Sequence, residues 1–236
     1  MNILAVGAHP DDMEILAAGT LAAYAKQGHT VTICVMTNGE LGSETLPKQE
    51  ISELRRAEAE RSATVLGAEL LWLDEPDGFL YDTPATRAKM ISAIRTARPD
   101  VIITHSPEDY HPDHRTASKI AVDARQLGCC ALLSPEEPPA GTIPVVLLAD
   151  TLGGIGCEPE FWVDISATIG IKLAMLREHR SQNDWLRSLH GTDYTEFVER
   201  LGSLRGLQAG TGYAEGFRLY RGYPVPADVT ELLPGK

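Results

Sequence analysis

The sequence predicts an α/β fold: a Rossmann-like, doubly wound, mostly parallel sheet in three αβα layers, built as a single domain over residues 1–236. Three observations predict it. Short apolar runs alternate with longer segments of helical period, which implies a parallel sheet covered on both faces. The composition, 43% hydrophobic and 23% charged, is that of a globular chain able to bury such a sheet. Two polar clusters, Ala8-His9-Pro10-Asp11-Asp12 and His111-Pro112-Asp113-His114, each follow an apolar run. In a sheet of order 3-2-1-4-5 those runs are strands 1 and 4, between which the order reverses and ligands bind.

The elements follow in order. Residues 2–6 read as a strand and 13–27 as a helix stopped by Gly28. Residues 30–36 (TVTICVM) read as the second strand, and 49–66 as a charged amphipathic helix ended by Gly67. Residues 70–73 form a short third strand and 86–97 a helix. Residues 101–104 form the fourth strand, 113–127 a helix, 145–149 a fifth strand and 161–163 a sixth. Asp164 or Ser166 then caps a helix running to about Arg180. The proline-rich stretch 134–144 reads as a surface loop. Residues 183–212 read as less regular chain folded over the sheet, and the tail after Tyr223 as mobile or docked on a neighbour. There is no internal repeat.

Charge narrows the function. The chain carries 33 acidic and 21 basic residues, a net −12, which opposes binding to nucleic-acid phosphates or to an anionic membrane. No apolar run approaches the ~20 residues of a membrane span. Met1-Asn2 lacks the basic start of a signal peptide. The four cysteines, Cys34, Cys129, Cys130 and Cys157, form no C-x-x-C pair and read as buried free thiols of a cytoplasmic protein.

The two polar clusters carry the chemistry. Adjacent aspartates repel each other and gain nothing from a core, so something beside them must want negative charge. A helix cap would explain one of Asp11 and Asp12, with Glu14 favouring the positive helix end. It explains neither His9 nor a second cluster with two histidines. A metal explains both. His9 and Asp12 lie three residues apart across a turn that Pro10 stiffens, and His114 supplies a third donor, the set that a catalytic zinc with an open position takes. Zinc lowers the pKa of its water to roughly 7, and Asp11 is placed to take the proton. His111 then serves an oxyanion or a leaving amine, and Asp113 orients a histidine from behind.

These segments resemble the LmbE-like, or PIG-L, family of zinc-dependent N-deacetylases. A-H-P-D-D-x-E is matched by residues 8–14 and H-P-D-H by residues 111–114. Thr37-Asn38-Gly39-Glu40, Glu53-Leu54-Arg55, Ser181-Gln182 and Tyr213-Ala214-Glu215-Gly216-Phe217 are similar to further family segments, so the likeness spans nearly the whole chain. The resemblance implies a zinc held by His9, Asp12 and His114, Asp11 as base, and His111 as stabiliser of the tetrahedral intermediate. Asp113 and Glu14 stand behind them. It implies Arg55 as a substrate-binding residue, with Arg56 one step away. It implies an N-acetylglucosamine conjugate as small-molecule substrate, nearest to the bacillithiol-pathway deacetylases, and assembly as a homotrimer or hexamer. Tyr110 stands where some relatives carry arginine.

Two rival readings differ in class. A magnesium-dependent phosphoryl-transfer enzyme would also cluster aspartates at a strand end, but three histidines disfavour magnesium. A non-catalytic sugar- or nucleotide-binding module would hold a structural metal with a closed ligand set. His105 reads first as a core or loop histidine, Asp150 as lying outside the crevice, and Trp72, Trp162 and Trp185 as packing residues. His29 reads as a turn residue, and His179 and His190 fit no ligand spacing.

Overall fold

The computed structural model describes residues 1–133, 136–191, 193–224 and 229–234, with His190 described in its backbone only. The strands are β1 (Asn2–Gly7), β2 (Thr30–Thr37), β3 (Glu69–Glu75), β4 (Val101–Thr104), β5 (Val145–Ala149), β6 (Phe161–Asp164) and β7 (Ala214–Leu219), the first six built around apolar runs. They pair in the order β3-β2-β1-β4-β5-β7-β6. The first five are parallel, in the expected order, while β7 runs antiparallel to both β5 and β6.

Helices cover both faces. Ile3 and Ala5 of β1 join one core with α1 (Asp12–Leu16), α2 (Ala18–Lys26), α6 (Ile169–Leu176) and α8 (Tyr194–Ala209). Leu4 and Val6 face the opposite core, built with α4 (Pro84–Ala97) and α5 (Pro112–Leu127). The alternation along one strand is the pleat itself, and burial on both sides is why β1 is apolar throughout. Two further helices, α3 (Lys48–Leu66) and α7 (Arg180–His190), flank the sheet's C-terminal edge on the α6 side.

Four expectations need correction. The helix expected over 13–27 is two helices that part at Ala17, where φ is −142°. A buried pair causes the break. The Lys172 ammonium donates to the Ile15 carbonyl at the end of α1, while Glu215 accepts from the Gly19 and Thr20 N–H groups at the start of α2. Neither Asp164 nor Ser166 caps the following helix. Asp164 accepts from the Ser166 N–H, α6 starts after Thr168, and the segment to 180 ends early at Leu176. Residues 183–212 are not irregular: they hold most of α7 and all of α8, which opens on an Asp193 side-chain cap and closes on Gly210 at φ 73°. Finally, Cys34 and Cys157 are buried thiols, but Cys129 is half-buried and Cys130 exposed.

Of the 134–144 loop, residues 134 and 135 lie outside the described residues; Ala140 is buried and donates to the Gly128 carbonyl. Of the tail, 225–228 and 235–236 lie outside them. Its described part docks on its own chain: Tyr24 donates to the Leu232 carbonyl at 2.6 Å, and Arg125 to that of Tyr223 at 2.7 Å. Among the described residues no helix is long and apolar enough to cross a membrane.

Candidate metal centre and active site

The C-terminal ends of β1 and β4 are neighbours in the sheet, and they bring the two sequence clusters together. His9 lies in the turn after β1, and Asp12 opens α1. His114 sits in the first turn of α5, where Pro112 fills a position needing no N–H donor. His9 Nδ1 lies 3.2 Å from His114 Nε2 and 3.4 Å from Asp12 Oδ2, and His114 Nε2 lies 3.2 Å from Asp12 Oδ1. Tetrahedral zinc with bonds of 2.0–2.2 Å needs donor atoms about 3.3–3.6 Å apart. The three side chains offer the donor types that zinc takes at close to this spacing, Asp12 meeting His9 through Oδ2 and His114 through Oδ1.

The surroundings want a cation at that point. Asp77 Oδ1 and Asp113 Oδ2 lie 3.2 and 3.3 Å from His9 Nε2, and Asp109 Oδ1 lies 3.0 Å from His114 Nδ1. Burial works against charge on these rings, yet the Asp12 carboxylate and its neighbours outweigh it. His9 is held well above the ordinary histidine value, and His114 is raised to about 9. A divalent ion would supply that positive charge and leave both rings neutral as ligands. Asp113 also accepts from the Gly78 and Leu80 N–H groups, so it fixes both His9 and the 76–80 loop.

Asp11 occupies the N-cap position of α1, but its side chain makes no capping bond. Its backbone is left-handed at φ 112°, a conformation that is costly for a residue with a Cβ. That turn gives the carboxyl other partners. Arg55 Nη2 lies 3.3 Å from Asp11 Oδ2 and donates to the Pro10 carbonyl at 2.7 Å, and the Tyr194 hydroxyl donates to Asp11. Burial pushes the Asp11 carboxyl up to about 6 against the pull of Arg55. Arg55 is buried, whereas Arg56 is exposed and pairs with Glu60.

His111 caps α5 by accepting the Asp113 N–H on Nδ1 at 3.2 Å. A neutral ring held this way carries its proton on Nε2. Burial, followed by His9 and His114, lowers its pKa, which favours that neutral form. Glu14 makes its contacts elsewhere: it accepts from Ser62 at 2.6 Å and lies 3.1 Å from His179 Nε2.

Several residues of the site escaped the sequence reading. His105 is fully buried with Nε2 3.1 Å from Asp12 Oδ2, and Asp77 and Asp109 lie behind His9 and His114. His105 directly follows β4, and Asp77 and Asp109 lie in loops after β3 and β4; that position was their one legible signal. Asp150 turns from the cluster to pair with Arg205 at 2.6 Å. A cavity of about 280 Å³ opens over the cluster, and Tyr110, Gln182, Trp185 and Tyr194 help line it. Trp185 is thus a wall of the site rather than core packing.

Known proteins share this architecture. The diacetylchitobiose deacetylase of Thermococcus kodakarensis is 27% identical over 234 residues, covering 94% of this chain and 84% of that protein. The 4-oxalmesaconate hydratase of Pseudomonas putida is 26% identical over 219 residues, covering 88% and 81%. Among solved structures, the N,N'-diacetylchitobiose deacetylase of Pyrococcus horikoshii superposes with a TM-score of 0.80 at 27% identity, over 98% of this chain and 88% of its own. A conserved protein of Thermus thermophilus does so with a TM-score of 0.80 at 32% identity, over 97% and 96%. Residues 4–125, which contain His9, Asp11, Asp12, Arg55, His111 and His114, match the profile of the PIG-L family, GlcNAc-PI de-N-acetylase, and the chain belongs to that family.

Proposed function

We propose that this chain is a zinc-dependent N-deacetylase that frees the amine of an N-acetylglucosamine-type sugar or conjugate and releases acetate. One observation carries the reading: His9, Asp12 and His114 converge within 3.4 Å of one another, with the uncapped Asp11 carboxyl beside them. Family membership and the deacetylase relatives support it.

His9, Asp12 and His114 would hold the ion, and their two imidazoles suit zinc better than magnesium. Zinc, when bound, supplies Lewis-acid polarisation of the acyl oxygen and acidification of water. Asp11 takes the proton of the water that attacks the acyl carbon. It returns that proton to the nitrogen as the C–N bond breaks, giving a free amine and acetate. Arg55 and Tyr194 hold Asp11 at the angle this requires. His111 presents its Nε2–H to the acyl oxygen as charge develops there, for which a neutral ring suffices. Arg55 also faces the cavity and is placed to bind a substrate hydroxyl.

The free cysteines suit a reducing cytoplasm, and assembly into trimers or hexamers is part of this proposal. The test joins elemental analysis of the purified protein to an amine-release assay on N-acetylglucosamine and its conjugates. Zinc near one per chain with released amine is expected. Magnesium without amine release would replace the reading.

A further inference from the structure

We propose that the site has a second compartment, which receives a neutral, hydroxyl-rich second unit of the substrate and selects against an anionic one; this rests on the deacetylase reading. A cavity of about 360 Å³ adjoins the first, and Gly42 and Trp185 line both. It lies between the 42–46 loop, α3 and α7. Its wall carries Ser43, Thr45, Leu46 and Ser188 with the carboxylates Glu44 and Asp184. Among the described residues no lysine, arginine or histidine lines it. A carboxylate or phosphate entering there meets two like charges and no counter-charge. A hydroxyl meets acceptors and other hydroxyls.

The divide between the cavities carries unused hydrogen-bonding groups. Trp185 Nε1, Gln182 Oε1 and Arg55 Nε are buried without a partner, and all three side chains line the first cavity. Gln182 is 5% exposed and Arg55 4%, so water does not readily satisfy them. Two N–H donors and one acceptor match sugar hydroxyls, which both donate and accept. Gly42 lets Arg55 and Gln182 pack closely against the wall that the two cavities share. Its backbone is not left-handed, so conformation does not demand glycine. Space does: a Cβ would stand 2.7 Å from Arg55 Nη1 and 2.8 Å from Gln182 Oε1.

The test compares amine release from free N-acetylglucosamine, from N,N'-diacetylchitobiose and from the malate glycoside of N-acetylglucosamine, using the metal-loaded protein. The neutral disaccharide is expected to exceed both others in kcat/KM by about tenfold or more. Asp184 is exposed, so Asp184→Lys leaves the fold intact; it should shift the disaccharide-to-malate ratio about tenfold toward malate. Gly42→Ala should raise KM for the disaccharide more than for the free sugar. Equal use of all three substrates, preference for malate, or an unmoved ratio in Asp184→Lys overturns the proposal. Release from none of them removes the deacetylase reading instead. Calorimetry of the disaccharide against wild type and Asp184→Lys then decides the compartment: tighter binding to wild type supports it, and no heat or equal affinity overturns it.

Discussion

Asp11 shows how much one residue can be asked to carry. A left-handed φ costs a non-glycine residue about 1–3 kcal/mol, and burying a carboxyl adds to that. The surroundings hold it there through Arg55 and Tyr194. Asn tolerates the same backbone and keeps the shape but accepts no proton. Asp11→Asn should therefore lower kcat by about 10²–10⁴-fold while elemental analysis finds the metal retained. Loss of metal would instead make Asp11 a ligand. Asp109 is a second residue whose role is indirect. Its carboxylate lies 3.0 Å from His114 Nδ1 and orients the ring whose Nε2 faces Asp12. Asp109→Asn should weaken metal binding about 10–100-fold in a chelator competition. Full affinity in that variant would assign Asp109 to loop structure alone. The candidate ligands His9, Asp12 and His114 were legible in the sequence, as was Asp113 behind His9; Asp77 and Asp109 were not, because they meet the histidines only through the fold.

Among the elements, the α1–α2 break matters most, since α1 carries Asp12 and follows Asp11. The sequence offered one uninterrupted helical pattern from 13 to 27. The break comes from Lys172 on α6 and Glu215 on β7, at least 157 residues away along the chain, which satisfy the helix ends that a break exposes. Lys172→Met leaves the Glu215 carboxylate buried without its counter-charge and should cost about 3–5 kcal/mol in urea unfolding. A change under about 0.5 kcal/mol would show the pair to be dispensable. The Glu14–His179 contact ties α1 to the start of α7. Burial alone would lower His179, but Glu14 reverses that and raises it, while the same contact lowers Glu14. A raised histidine contributes stability that is full below its unfolded value of about 6.5 and lost as pH climbs through the higher folded one. The urea midpoint should thus fall on the alkaline side in wild type and less steeply in His179→Gln. Parallel curves would place the titration elsewhere. Helix α8 carried local signals in Asp193 and Gly210, its cap and stop; α7 carried them in Trp185, Leu186 and Leu189 at helical spacing and in Gly191, its stop at φ 66°, and it packs on α3 and α8.

For the whole molecule, the ends of β1 and β4 bring the candidate ligands together, so an ion bound there would join the two halves of the fold. A ligand bound only by the folded state adds about 2.7 kcal/mol at 100 times its dissociation constant. Chelation should therefore lower the melting temperature, and zinc should restore it better than magnesium. An unchanged melting curve on chelation would count against a bound ion. The parallel part of the sheet was readable because a strand buried on both faces must be apolar throughout, as β1, β2 and β4 are. Strand β7 was not assigned from sequence: Ala214-Glu215-Gly216-Phe217 carries a buried charge and a glycine, and only pairing with β5 and β6 gives it a place.

By itself the sequence determined the parallel α/β order, the two histidine–aspartate clusters and their meeting at the switch between β1 and β4. These follow from local rules: apolar runs make buried strands, and ligands gather where strand order reverses. Tertiary structure alone decided which charges face one another. It turned Asp11 out of its capping role, set Asp77 and Asp109 behind the histidines, and split the first helix with a distant ion pair. It also laid α7 over the site, with Gln182 and Trp185 beside Gly42 in the cavity wall. Such contacts depend on distances between segments far apart in the chain, and no spacing along it records them.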